Sequence, residues 1–131
     1  MINFINPDVL LRNATFSQVA ISSGSRTIYT SGQVSIDAHG NIVGAGDLAT
    51  QTRQAMINLR TALAAAGASF SDVVKTTTFV VDFQPDQRKA ITDAKKPFWE
   101  GRTPPASALI GVSALAQPGW LIEIEAVAVI E

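Results

Sequence analysis

The 131-residue chain has no cysteine and a single histidine, His39. The first absence excludes disulfides, thiolate nucleophiles and cysteine-ligated metals. The second excludes a histidine-rich metal site and most Ser-His-Asp arrangements. Ten basic residues stand against eleven acidic ones, a formal charge of −1. Proteins that neutralise nucleic-acid phosphates carry a basic excess or stripe, and neither is present here. No apolar run approaches the ~20 residues that a membrane span needs. Residues 1–18 lack the basic region and apolar core of a secretory signal. The expectation is one soluble, cytoplasmic domain over residues 1–131 that binds neither nucleic acid nor membrane. Its chemistry has to come from carboxylates, hydroxyls, backbone groups and bound water.

What the chain does have is 47% apolar residues, enough for a core at this length. Phe16–Ser22 reads as a strand followed by a Gly24-Ser25 turn. Thr27–Gln33 is a second strand, rich in β-branched residues, with Gly32 near its end. A glycine inside a strand marks a bulge or a close approach to the backbone. Asp37–Gly40 is a turn, with His39 a solvated member of it, and Asn41–Val43 a short return strand. Leu48, Thr52, Ala55, Met56, Leu59, Leu63 and Ala66 then form one face of a helix, with Asp47 as N-cap and Gly67 past the C-terminus. Val73–Asp82 is a strand. A second helix starts near Pro85, uses Ile91, Ala94 and Phe98, and is kinked or ended by Pro97. Lys95-Lys96 reads as a solvated pair on it. Ala106–Val112 and Leu121–Ile130 are the closing strands, with a Gln117-Pro118-Gly119 turn between them.

This ββαβαββ order predicts an α/β (α+β) domain, a mixed sheet with both helices on one face. The other face is left for association between subunits. Glu123 and Glu125, two apart on the last strand, share a face. Such a pair among apolar residues can orient or activate water, and it equally fits a solvated or structural strand face. Ser31 and Gly32 at a strand end can present a hydroxyl and backbone N–H groups to an anionic ligand, or simply form a bulge. Ser107 follows two prolines at the start of a strand without a base in its sequence context. Phe16, Trp99 and Trp120 lie near loops, where they can wall a pocket or pack in a core or interface.

The segments Phe16-Ser17-Gln18, Tyr29-Thr30-Ser31-Gly32-Gln33, Gln51-Thr52-Arg53-Gln54-Ala55, Asp72–Thr77 and Ile122–Ala128 together resemble the Rid (YjgF) family. The resemblance keeps its order and spacing from Phe16 to Val129. It implies a chorismate-mutase-like fold with a six-stranded mixed sheet, and a homotrimer with small-molecule clefts between subunits. It also implies hydrolysis of reactive enamines or imines, such as 2-iminopropanoate and 2-iminobutanoate, to keto acids and ammonia, without metal or organic cofactor. Carried over by position, Glu123 would place the attacking water, while Phe16, Ser31, Gly32 and Ser107 would line the substrate cleft. Phe16 stands where the family has tyrosine. Ser107 stands where deaminating members have an arginine that grips the substrate carboxylate through a bidentate pair. The alternative implied by these replacements is a trimer that binds or regulates through a small ligand without catalysis.

Overall fold

A computed structural model describes residues 1–131. The elements run β1 (Ile2–Ile5), β2 (Val19–Ser22), β3 (Arg26–Tyr29), β4 (Gln33–Val34), α1 (Leu48–Ala65), β5 (Val73–Val81), α2 (Arg88–Trp99), β6 (Ala106–Val112) and β7 (Ile122–Ile130). Helix α1 ends where its local chemistry says it should. Asp47 accepts a hydrogen bond from the Thr50 N–H at 3.1 Å, which satisfies one of the free donors of the first turn. At the other end Gly67 has φ +78°, and the Gly67 and Ala68 N–H groups close onto the carbonyls of Ala64 and Leu63. A left-handed residue is needed there, and glycine takes it without a Cβ clash.

The main sheet runs in the order β3-β7-β5-β6, and β4 pairs with β7 as well. Only the β5–β6 pair is parallel, and α2 is the crossover that parallel strands need. Central strand β7 alternates strictly. Ile122, Ile124, Ala126 and Ala128 are buried, while Glu123, Glu125, Val127 and Val129 are half-buried on the other side. The buried set joins Ala55, Met56, Leu59 and Leu63 of α1 and Ile91 of α2 in one core. Both helices therefore cover the same face. Gln51 is a polar exception inside α1, fully buried and satisfied on three sides: its amide nitrogen donates to the Gly44 and Gly119 carbonyls, and its oxygen accepts from the Leu121 N–H.

The sheet differs in detail from the six strands expected. The main sheet has five, and β1 with β2 forms a separate antiparallel pair. The β1 segment is too short, and too close to Pro7, to stand out from its alternation alone. Phe16–Ser22 is a strand only from Val19. Upstream, Ser17 bridges Ala106 in parallel, its N–H on the Pro105 carbonyl at 3.0 Å and its hydroxyl on the Pro104 carbonyl at 2.6 Å. Asn41–Val43 makes a single bridge, Ile36 to Ile42, rather than a strand. Pro97 falls in the last turn of α2, which ends at Trp99.

Candidate functional site

The strand read from Thr27 to Gln33 is broken into β3 and β4, and the break is where the chemistry collects. Tyr29 lies opposite Val127 and Gln33 opposite Ile124, so β3–β4 carries one residue more than β7 across this interval. Such an extra residue is a bulge. Thr30 holds both sides of it. Its N–H donates to the Ala126 carbonyl, and its hydroxyl accepts from the Ala126 N–H, both at 3.0 Å.

Gly32 sits in this bulge for a steric reason. A Cβ placed there would lie 2.5 Å from Glu123 Cδ and 2.7 Å from its Cγ and Oε1. The glycine is the space that the glutamate side chain occupies. Ser31, next to it, is exposed. The structure thus brings Glu123 and Gly32 together on the face away from the helices, with Ser31 next to them in the chain. Glu125 shares that face two residues further along β7.

Phe16 and Ser107 are elsewhere. Thr76 and Thr78 pair with buried Ala126 and Ile124, which puts both threonines on the helix side of the sheet. Ser107 is the register partner of Thr76 and takes the same side. Its hydroxyl accepts from Thr76 Oγ1 at 3.2 Å. Here a groove of about 800 Å³ opens between α2 and the start of β6, lined by Phe16, Thr76, Lys95, Trp99 and Ser107 among others. Trp99 is fixed edge-on against Phe70, ring centres 4.8 Å apart. Trp120 lines a different, smaller pocket of about 220 Å³. This groove therefore lies across the sheet from the candidate catalytic carboxylate.

Sequence reasoning missed one group in that groove. Lys95 is not the solvated residue expected. It follows Ile91 by four residues, which places it on the stripe that α2 turns to the sheet. Its Nζ donates to Thr78 Oγ1 at 2.6 Å, and burial pushes its pKa down to about 8. Lys96 stays exposed, as expected, and so does His39 on its turn.

An α+β domain with two helices over one face of a mixed sheet, and a carboxylate seated in a glycine gap of the bare face, is the class this geometry defines. The family described as Endoribonuclease L-PSP matches residues 9–130. A rat protein named 2-iminobutanoate/2-iminopropanoate deaminase is 39% identical over 104 residues, which cover 79% of this chain and 73% of the relative. Among solved structures, YyfB of Yersinia pestis, a protein of unknown function of the conserved Rid family, is 40% identical. It superposes with a TM-score of 0.94 over 98% of both chains. The YjgF gene product of Escherichia coli is 32% identical with a TM-score of 0.72, over 84% of this chain and 85% of the other. The chain belongs to the Rid (YjgF) family. No helix in it is long and apolar enough to cross a membrane.

Proposed function

We propose that the protein hydrolyses a small reactive enamine or imine to a carbonyl compound and ammonia, with Glu123 as the group that positions and deprotonates water. The observation that carries this reading is the Glu123 side chain filling the space left by Gly32, the residue that follows exposed Ser31. A carboxylate held between strands keeps its direction, and direction is what a general base needs. Water oxygen would add to the C=N carbon as its proton passes to Glu123. Glu123 would return that proton to nitrogen to complete the carbinolamine. The carbinolamine hydroxyl proton would then pass through the same carboxylate to nitrogen as the C–N bond breaks, leaving the carbonyl compound and ammonia. Ser31 and the backbone N–H groups of the bulge would hold the polar end of the ligand. The deaminase name of the rat relative points to the same reaction class.

The working unit in this reading is a homotrimer with its clefts between subunits. Glu123 and Ser107 lie on opposite faces of one sheet, so a single copy cannot offer both to one ligand. A closed ring that lays the bare face of one copy against the groove of the next would do so. Leu109 and Ile110 of β6, 37% and 42% exposed, and half-buried Val127 and Val129 give such a contact its apolar surface. Ser107 in place of the family's arginine favours a substrate held without a carboxylate–arginine pair at that position.

The test is hydrolysis of freshly generated 2-iminopropanoate, followed by semicarbazide trapping, with wild-type protein and Glu123→Gln. Light scattering establishes the subunit number of the same samples. Turnover that the substitution removes supports the reading. Normal turnover by Glu123→Gln would overturn the role given to that residue. A trimeric wild-type sample with no acceleration on this or uncharged imines would leave the binding-only alternative, which the Ser107 hydroxyl engaged by Thr76 also fits.

A further inference from the structure

The groove on the helix side holds an amine that the Glu123 chemistry does not use. Lys95 is presented there by α2, and its one hydrogen-bond partner is Thr78 Oγ1, on a residue with no exposed surface. It has no carboxylate partner. The two ion pairs in the chain are Met1 ammonium with Glu131, and Lys89 with Asp93. An amine held by one neutral oxygen is poorly solvated when charged. With a pKa of about 8, roughly a tenth of it is neutral at pH 7, against fewer than about one in a thousand for an ordinary lysine. By donating a hydrogen to Thr78, the neutral amine keeps its lone pair free for the groove.

The surroundings select the ligand. Arg88, Lys96 and Arg102 line the same groove, against the carboxylates of Asp93 and Glu100. Asp93 is already held by Lys89 Nζ at 2.6 Å. Arg102 is steadied by hydrogen bonds from its Nε to Ser71 Oγ and from a terminal nitrogen to the Phe98 carbonyl. The balance is positive, and the rings of Phe16 and Trp99 provide apolar wall.

We propose that this groove captures a small carbonyl compound bearing an anionic group, such as a 2-oxo acid, as an imine on Lys95. The neutral Nζ adds to the carbonyl carbon and forms the C–N bond. Both amine protons pass to the carbonyl oxygen, which leaves as water, and no electrons are exchanged. Water reverses the step. In the assembled ring the groove would be one wall of the proposed cleft, so the inference adds to that reading, but capture needs only the residues of one copy.

The test is reductive trapping on the full-length protein. Glyoxylate, and separately pyruvate, is added at pH 7 with cyanoborohydride, which delivers hydride to the imine carbon and fixes it as a secondary amine. Peptide mapping then reads Lys75, Lys89, Lys95 and Lys96 individually, with the Met1 amine as internal standard. The expected result is labelling of Lys95 at least about tenfold faster than of the other three lysines, saturating with probe. Lys95→Arg should lose it while Met1 labels unchanged. Thr78→Val should slow it with Lys95 still present. Replacing Arg88 and Arg102 by glutamine should remove the preference for glyoxylate over propanal. Labelling spread over the four lysines by exposure, or a Lys95 rate that never saturates, would overturn the proposal, and the wild-type map decides this even if a variant fails to fold. Glu123→Gln separates the two readings, since it would abolish imine hydrolysis and leave the Lys95 adduct.

Discussion

The two faces of the sheet solve opposite problems. On the bare face a carboxylate is kept in place by removing a side chain: Gly32 has no Cβ, and Glu123 occupies the gap. On the helix face an amine is kept in place by enclosure, under α2 and against the Thr78 hydroxyl. The first arrangement leaves its group half-exposed and free to meet water. The second withdraws a group from water and so changes its acidity. Strand parity divides the two, because Thr78, the partner of Lys95, pairs with Ile124 while Glu123 is the next residue along β7 and points to the opposite face. Function on this fold is divided by side-chain parity rather than by distance along the chain.

Substitutions can break that comparison, and the largest effect should come from the carboxylate. Glu123→Gln is expected to lower kcat for imine hydrolysis by about 10²–10⁴-fold, with an unchanged circular dichroism spectrum. Gly32→Ala should act on the same group indirectly. Its methyl would stand within 2.5–2.7 Å of Glu123 atoms, so the glutamate must move or the strands part. We expect a loss of stability of about 1–3 kcal/mol and reduced turnover. In a Glu123→Ala background most of that stability loss should vanish, and urea titrations of the four proteins measure the coupling.

On the helix face the informative variable is pH. Lys95 has a folded pKa of about 8, below its ordinary 10.5. Between those values the unfolded chain binds the proton that the folded chain has lost, so this group makes stability rise with pH. Lys95→Met should therefore be stabilising relative to wild type at pH 7, and the difference should shrink by about 1 kcal/mol or more as pH passes from 8 to 10.5. A gap independent of pH would mean that the amine is solvated. The smallest effect is expected at the N-cap of α1. Hydrogen bonds from Thr50 hold the Asp47 carboxyl below its ordinary 3.8, so its contribution is present above that value and lost as pH falls through the lowered one. Asp47→Ala should lower Tm slightly at neutral pH, and the two melting curves should converge in acid.

Much of this is legible in the sequence alone. Both ends of α1 were marked because its caps are chemical, an aspartate at one end and a glycine at the other. Gly32 announced a bulge or a close approach, and the structure makes it both. The shared face of Glu123 and Glu125 followed from strand parity. What escaped was whatever depends on partners distant in sequence. The β1 strand is visible only through its pairing with β2. Lys95 looks like any surface lysine until α2 is docked over Thr78. The separation of Phe16 and Ser107 from Glu123 is set by the β5 register, which the residues of β5 do not announce.

The order of assembly follows from one detail of the sheet. Strand β7 lies at its centre, pairing with β3, β4 and β5, yet it comes after all three in the chain. While the ribosome has delivered only residues 1–121, those strands have no common partner and both helices lack the β7 part of their core. Pairings such as Arg26 with Ile130 join segments made early and late in translation. Nascent chains would thus carry unpaired strand edges through most of their synthesis, the condition under which aggregation and chaperone capture compete with folding.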